Sequence, residues 1–358
     1  MNRRVLSALL LVLVAVGLLV AYDRSATRVS ATPIGERIEI PAPLGLPPVP
    51  YPHDNPPTAE TVALGRRLYY DPILSSDRTV SCATCHDPNH GFADPKPVSE
   101  GVGKKLGVRN SPTVLNAAYF TTQFWDGRAV SLEDQAQGPM HNPVEMAHSL
   151  RGVEKNLTGD PAYTAAFQQA FGSGPITIER VVNAISAFER TLVSGNSPFD
   201  RWYYGHDQKA VSDSVKHGFE VFKDARKGNC ESCHTVNEHY ALFTDNKFHN
   251  IGVGATEDKV ADVGRFIVTN RDADTASFKT PTLRNLTLTA PYFHDGSRKT
   301  LKEVMDFYIG GGNSNPHLDK EVHSLAFLTA QERADLLAFM ESLTGEPPKD
   351  SGPPPTRK

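Results

Sequence analysis

Cys82-Ala83-Thr84-Cys85-His86 and, 148 residues on, Cys230-Glu231-Ser232-Cys233-His234 decide the fold of this chain. In each stretch two cysteines three positions apart are followed at once by a histidine. At that spacing two thiols add to the vinyl groups of a haem and the adjacent imidazole reaches the iron. The two motifs use all four cysteines of the 358 residues, which leaves none for disulfides. The competing reading is a zinc or redox Cys-x-x-Cys. A thioredoxin-like site would need a βαβ context, and no such pattern is visible. Two covalently bound haem c groups are expected, with Cys82, Cys85 and His86 holding one and Cys230, Cys233 and His234 the other.

The sequence around the motifs is duplicated. Gly65-Arg66-Arg67-Leu68-Tyr69-Tyr70-Asp71 precedes the first, and Gly218-Phe219-Glu220-Val221-Phe222-Lys223-Asp224 the second. Both read as the end of an amphipathic helix leading into a haem loop. Beyond the motifs, Pro112-Thr113 pairs with Pro281-Thr282, Asn116 with Asn285, Asp126-Gly127 with Asp295-Gly296 and Leu132 with Leu301, all at an offset of 169 residues. Each half closes on a helix carrying Ala-Phe-x-x-x-Leu. One has Ile178, Val181, Val182, Ile185, Phe188 and Leu192 on a single face. The other starts at a Thr329/Glu332 capping box and continues through Leu336, Leu337, Met340 and Leu343. No alternating strand series stands out. The fold class expected is mainly α: two tandem c-type cytochrome domains related by internal duplication, with the haems flanking their interface.

The ends bound the rest. Arg3 and Arg4 precede an apolar run from Val5 to Tyr22, the pattern of an export signal, long enough to remain as a membrane anchor. Val29-Ser30-Ala31 is a candidate cleavage site. The organisation expected is 1–31 signal peptide or anchor, 32–57 Pro-rich extended leader, 58–199 and 200–346 the two cytochrome domains, and 347–358 a disordered tail. The boundary between the domains falls at the turn-forming stretch Gly195–Asp200. The localisation expected is periplasmic, exported or tethered to the inner membrane. A net charge of -4 with no basic block gives nucleic acid no electrostatic footprint, and 39% hydrophobic with 22% charged residues suits a globular protein.

The sixth iron ligand separates the two haems. In the second half Thr300 and Glu303 form a capping box, the helix they start carries Leu301, Val304, Met305 and Tyr308 on one face, and Gly310-Gly311-Gly312 stops it. Tyr308 and Met305 are both candidate ligands. The duplication offset carries Tyr308 to Pro139, whose side chain offers iron no donor. The first haem is therefore expected to be open, which suits peroxide binding, and the second closed, which suits electron transfer. His90, His141 and His148 are the residues that could close the first. Glu145, six residues past Pro139 in an apolar, proline-bearing loop, is a candidate proton shuttle. A solvated surface carboxylate is the alternative.

Arg109-Asn110-Ser111-Pro112-Thr113 through Phe124-Trp125-Asp126-Gly127-Arg128, with Pro291-Tyr292-Phe293-His294-Asp295-Gly296, resembles the bacterial di-haem cytochrome c peroxidases and the related MauG family, over roughly residues 64–345. The resemblance implies that His86 is the proximal ligand of the peroxidatic haem and His234 that of the electron-transfer haem. It implies that Glu145 and Gln135 are the distal acid and its neighbouring amide. Trp125 would be a relay between the haems, with a buried core aromatic as the plainer reading. Asn110, with the carbonyls of Thr289 and Pro291, would hold a calcium ion at the domain interface. Two departures mark the subfamily. Where typical peroxidases carry a distal histidine this chain has Val102, and where they carry a methionine ligand it has Tyr308. Both resemble the MauG-like branch, which implies an enzyme that needs no reductive activation.

The function expected is reduction of hydrogen peroxide at the first haem, with electrons from a small periplasmic donor, a cytochrome c or a cupredoxin, entering through the second. The alternative is a MauG-like enzyme that uses peroxide to oxidise tryptophan or tyrosine side chains of a partner protein. A non-catalytic electron carrier is the third reading, and Glu145, Gln135 and Trp125 argue against it.

Overall fold

The computed structural model describes residues 29–355, so the apolar run Val5–Tyr22 lies outside the described residues. Among them are nine helices of six residues or more. In the first half they are α1 (Ala59–Tyr70), α2 (Leu132–His141), α3 (Leu150–Thr158), α4 (Pro161–Phe171) and α5 (Ile178–Glu189). In the second they are α6 (Pro198–Tyr203), α7 (Asp213–Lys223), α8 (Leu301–Gly310) and α9 (Ala330–Glu341). One two-stranded antiparallel sheet joins Phe248–His249 to Phe278–Lys279. None of these helices is long and apolar enough to cross a membrane.

The helices start where the sequence puts their caps. Thr300/Glu303 and Thr329/Glu332 are both closed capping boxes, and Thr58 forms a third with Thr61. Gly311 ends α8 at φ 89°. Each half is built on one helix pair, α1 on α5 and α7 on α9. The pairs cross at the glycines that open the duplicated segments. A Cβ at Gly65 would collide with the Ala184 carbonyl, and one at Gly218 with the Asp335 carbonyl. Leu68, Val153, Val181 and Ile185 fill the first core. Phe199, Phe219, Phe222, Phe243 and Phe339 fill the second, every one of them fully buried and in ring contact.

The duplication is structural. Asn116 and Asn285 take the same left-handed conformation (φ 64° and 63°), and each main-chain N–H donates to the residue after the closing helix, Leu192 and Leu343. The halves meet about a pseudo-twofold axis. Asn110 N donates to the His294 carbonyl at 2.7 Å and its duplicate, Lys279 N, to the Trp125 carbonyl at 2.8 Å. Trp125 and His294, themselves duplicates, pack edge to face at 6.4 Å. This is the self-complementary interface of a twofold dimer, made within one chain.

The described terminal segments lie against the body. Residues 32–57 are extended, but they strap both halves. Ile34 N donates to Ala170 O, and Leu46 and Val49 are buried. The Gly45 carbonyl accepts from Arg284, whose guanidinium also forks onto Asp200 at 2.8 Å, both side chains wholly buried. Ser30 and Ala31 give their carbonyls to Arg180 and Asn183 of α5. In the tail, Tyr70 donates to Ser351 O and Arg66 to Gly352 O. Proline takes N–H groups out of both segments but leaves their carbonyls, and those carbonyls are what the body binds.

Candidate active site

Both proximal histidines are held the same way. No disulfide joins the four cysteines, and each pair lies in a single helical turn after its helix, α1 or α7. His86 Nδ1 stands 3.0 Å from the Pro112 carbonyl and 3.3 Å from that of Phe92. His234 Nδ1 stands 2.9 Å from the Phe243 carbonyl, with the Pro281 carbonyl beside it. A carbonyl only accepts, so Nδ1 carries the hydrogen and Nε2 keeps its lone pair for a metal. Burial holds both imidazoles below their usual range, against the pull of these carbonyls. Two thiols and one oriented neutral imidazole per half fit a covalently bound haem c. The duplicated Pro-Thr pairs supply one carbonyl each and so fix both imidazoles. Their threonines tie down the same loops, Thr113 to Gly91 O and Thr282 to Leu242 O.

On the other side of each motif lie α2 and α8. They have equal length, caps at Ser131 and Thr300, and bounds that differ by the duplication offset. Tyr308 is partly buried, and burial holds its hydroxyl above the ordinary phenol range. The Cys230 and Cys233 thiols are near enough to add to the shift. Tyr308 thus faces the second motif. Met305 sits 6% exposed in the second aromatic core. Pro139 occupies the same place on α2 that Tyr308 holds on α8.

Around Pro139 the chain brings the acid to the first motif. Met146 N donates to the Pro139 carbonyl at 3.2 Å, folding the 142–146 loop back on α2. Glu145 is half-buried, and burial raises its carboxyl above the usual range, opposed by a 2.6 Å hydrogen bond from Asn142 Nδ2 and by the Arg128 and His141 charges. Its charge reaches the Cys85 thiol. Gln135 stands half-buried one turn before Pro139 on the same side of α2. Val102 N donates to the Glu145 carbonyl at 2.7 Å, and a Cβ at Gly101 would strike the 144–145 backbone, so the Val102 loop lies against the acid's loop. A cleft of about 380 Å³ opens between Thr84 of the first motif and the Glu100–Gly101 turn.

Each of the three histidines that could close the first haem has one ring nitrogen in a hydrogen bond. His90 pairs with Asp87 at 3.0 Å, directly beyond the proximal His86. His141 Nδ1 bonds the Gln137 carbonyl of its own helix, and His148 Nε2 accepts from Asn156. Between the halves, Trp125 Nε1 donates to the Asn110 carbonyl at 2.9 Å. Asn110 is 5% exposed, and its amide N–H donates to Lys96 O.

The model of the family "Di-haem cytochrome c peroxidase" matches residues 59–208, and the cytochrome c model matches 215–344. The methylamine utilization protein MauG of Methylorubrum extorquens is 43% identical over 300 residues, covering 84% of this chain and 82% of the relative. The cytochrome c551 peroxidase of Pseudomonas aeruginosa is 39% identical, covering 80% and 79%.

The chain belongs to the di-haem cytochrome c peroxidase and MauG family.

A crystal structure of a MauG-like protein associated with microbial copper homeostasis superposes with a TM-score of 0.76 at 33% identity, covering 85% of this peroxidase and 95% of that chain. The protein is a di-haem peroxidase of two tandem cytochrome c domains, acting on peroxide. Sequence reasoning passed over several residues of this peroxidase's interface. Arg109 forks onto Asp262 of the second half at 2.6 and 2.8 Å and reaches Asp126 at 2.6 Å. His294 stacks on Phe278 at 3.6 Å, and burial lowers its imidazole to about 4, which keeps the ring neutral beside Trp125. The constant offset was the signal for His294, since it is the duplicate of Trp125. Arg109 and Asp262 lie 153 positions apart, and no pattern links them.

Proposed function

We propose that this peroxidase reduces hydrogen peroxide beside His86, without reductive activation, drawing electrons through the His234 side. The observation that carries the proposal is the register of α2 on α8, which sets Pro139 where the second half has Tyr308. Val102 in the neighbouring loop offers no donor, and His90 and His148 are paired with Asp87 and Asn156, which supports an open first site.

Haem c, held by Cys82, Cys85 and His86, supplies the redox chemistry that cleaves the O–O bond. Glu145 would take a proton from one peroxide oxygen and return it to the departing one, which leaves as water; the remaining oxygen leaves as a second water once two electrons, drawn through the His234 side, and two protons reach it. The Asn142 amide orients the carboxyl, and Gln135 offers a second polar contact. Tyr308 closes the second site, held by Cys230, Cys233 and His234. An anionic oxygen ligand there favours the ferric state. Trp125, packed across the interface, is the relay between the halves. Asn110 with the Thr289 and Pro291 carbonyls fits a calcium ion: the Asn110 amide is oriented through its N–H, leaving an oxygen for a hard cation. The electron source is a small periplasmic cytochrome c or cupredoxin. The 43% identity to a MauG protein favours a second reading, a partner protein whose tryptophan or tyrosine is oxidised. The export-type N-terminus supports a periplasmic enzyme, exported or tethered. The 58–199 and 200–346 limits remain our reading of its domains.

The resting optical and spin-resonance spectrum tests the proposal. One high-spin and one low-spin centre are expected, with direct reaction of the ferric protein with peroxide. Tyr308→Phe is expected to change the low-spin signal alone. Two low-spin centres and no reaction until reduction overturn the open-site reading. A change with Met305→Leu instead of Tyr308→Phe overturns the ligand assignment.

A further inference from the structure

The duplication that relates the halves also relates the calcium site to a lysine. At the 169-residue offset Asn110 corresponds to Lys279, Thr289 to Phe120 and Pro291 to Thr122. Lys279 touches both of those residues, Thr122 through its carbonyl and Phe120 through its ring. Its Nζ donates to the Thr122 carbonyl at 2.7 Å and stands 4.4 Å from the centroid of the Phe120 ring. Lys279 is 8% exposed, and among the described residues no carboxylate pairs with it. Thr122 Oγ1 is buried there without a hydrogen-bond partner. Burial pulls the pKa of the ammonium down to about 7, and the carbonyl and the ring face act the other way, favouring the charged form. Asn110 N and Lys279 N make the reciprocal pair of bonds to the His294 and Trp125 carbonyls.

We infer that the Lys279 ammonium is a tethered cation filling the second of two pseudo-symmetric cation sites at the domain interface, the first being the Asn110, Thr289 and Pro291 set that takes an exchangeable calcium-class ion. The inference rests on the calcium reading of that first set and extends it. The second site offers the Thr122 carbonyl and the Phe120 ring face, and the first, on the calcium reading, the Asn110 oxygen with the Thr289 and Pro291 carbonyls, so each favours a positive charge. A divalent ion with water ligands supplies it on one side, and a side-chain ammonium with three N–H donors on the other. The duplicated interface thus keeps a cation on both flanks of the Trp125–His294 contact, with only one open to chelators.

Calcium bound per chain, counted by atomic emission after dialysis of the holoprotein in buffered calcium, tests this. One ion is expected for the wild type, two for Lys279→Asn, one for Lys279→Met and none for Asn110→Lys. Melting of Asn110→Lys is expected to be unaffected by EGTA, whereas the wild type melts lower in it. One ion in Lys279→Asn, with helicity and haem spectra unchanged, overturns the inference and leaves the calcium reading intact. No ion in the wild type overturns both. Where Lys279→Asn fails to fold, Asn110→Lys decides, and a retained calcium or EGTA-sensitive melting in that variant overturns the inference.

Discussion

Single side chains divide the labour between two sites that share a plan. His86 and His234 are prepared identically, by carbonyls at Nδ1 and by burial. The difference lies opposite them, where a tyrosine faces one motif and a proline stands at the same place on the other. Glu145, carried on the loop folded against Pro139, is then a carboxyl whose charge reaches the first motif. Its carboxylate form is the proton acceptor, so the rate with peroxide is expected to rise with pH through its elevated pKa. Glu145→Gln should slow that reaction by about 10²–10⁴-fold and remove the acid limb, measured by stopped-flow mixing of the ferric protein with peroxide. A wild-type rate in the variant would assign the proton transfer to another group.

Helices and loops carry strain of their own making. Gly218 lets α7 lie against the Asp335 carbonyl of α9, as Gly65 does for α1 on α5. Gly218→Ala forces the pair apart and is expected to cost about 3 kcal/mol, at the upper end of overpacking penalties, read from urea unfolding. At the end of α5, Glu189 is buried, and burial pushes its carboxyl up to about 8 despite Arg190. The folded chain therefore keeps a proton that the unfolded chain loses near its ordinary value of 4.5. The native state binds more protons across that window, so this group lowers stability as pH rises from about 4.5 to about 8. Glu189→Gln is expected to flatten that fall, tested by comparing denaturant midpoints at the two ends of the window. An unchanged slope would place the proton elsewhere.

For the molecule as a whole, a strap and a pseudo-twofold interface hold two small cytochrome domains in one body. Residues 32–57 run from α4 to the Asp200–Arg284 pair, so the leader is part of the fold. Asp200 also caps α6, through Ser197. Asp200→Ala strands a fully buried guanidinium and is expected to cost about 3–5 kcal/mol, seen as a lower melting temperature. A loss below about 1 kcal/mol would mean that Arg284 finds other partners or water. The interface sets Trp125 against His294, and the relay proposed between the halves runs there.

Local chemistry was legible in the chain alone. The two attachment motifs, the capping boxes of α8 and α9, the helical class and the Tyr308/Pro139 asymmetry all follow from short spacings or from one constant offset, because neighbours on a helix and copies in a duplication are fixed by counting. The convergence of Glu145 with the first motif, the reciprocal bonds around Trp125 and His294, the burial of Lys279 and the ordering of the proline-rich ends were settled only by the folded molecule. Each of these joins residues far apart in sequence through carbonyls and packed faces. Main-chain carbonyls look alike in every residue, so no residue type announces which of them will be used.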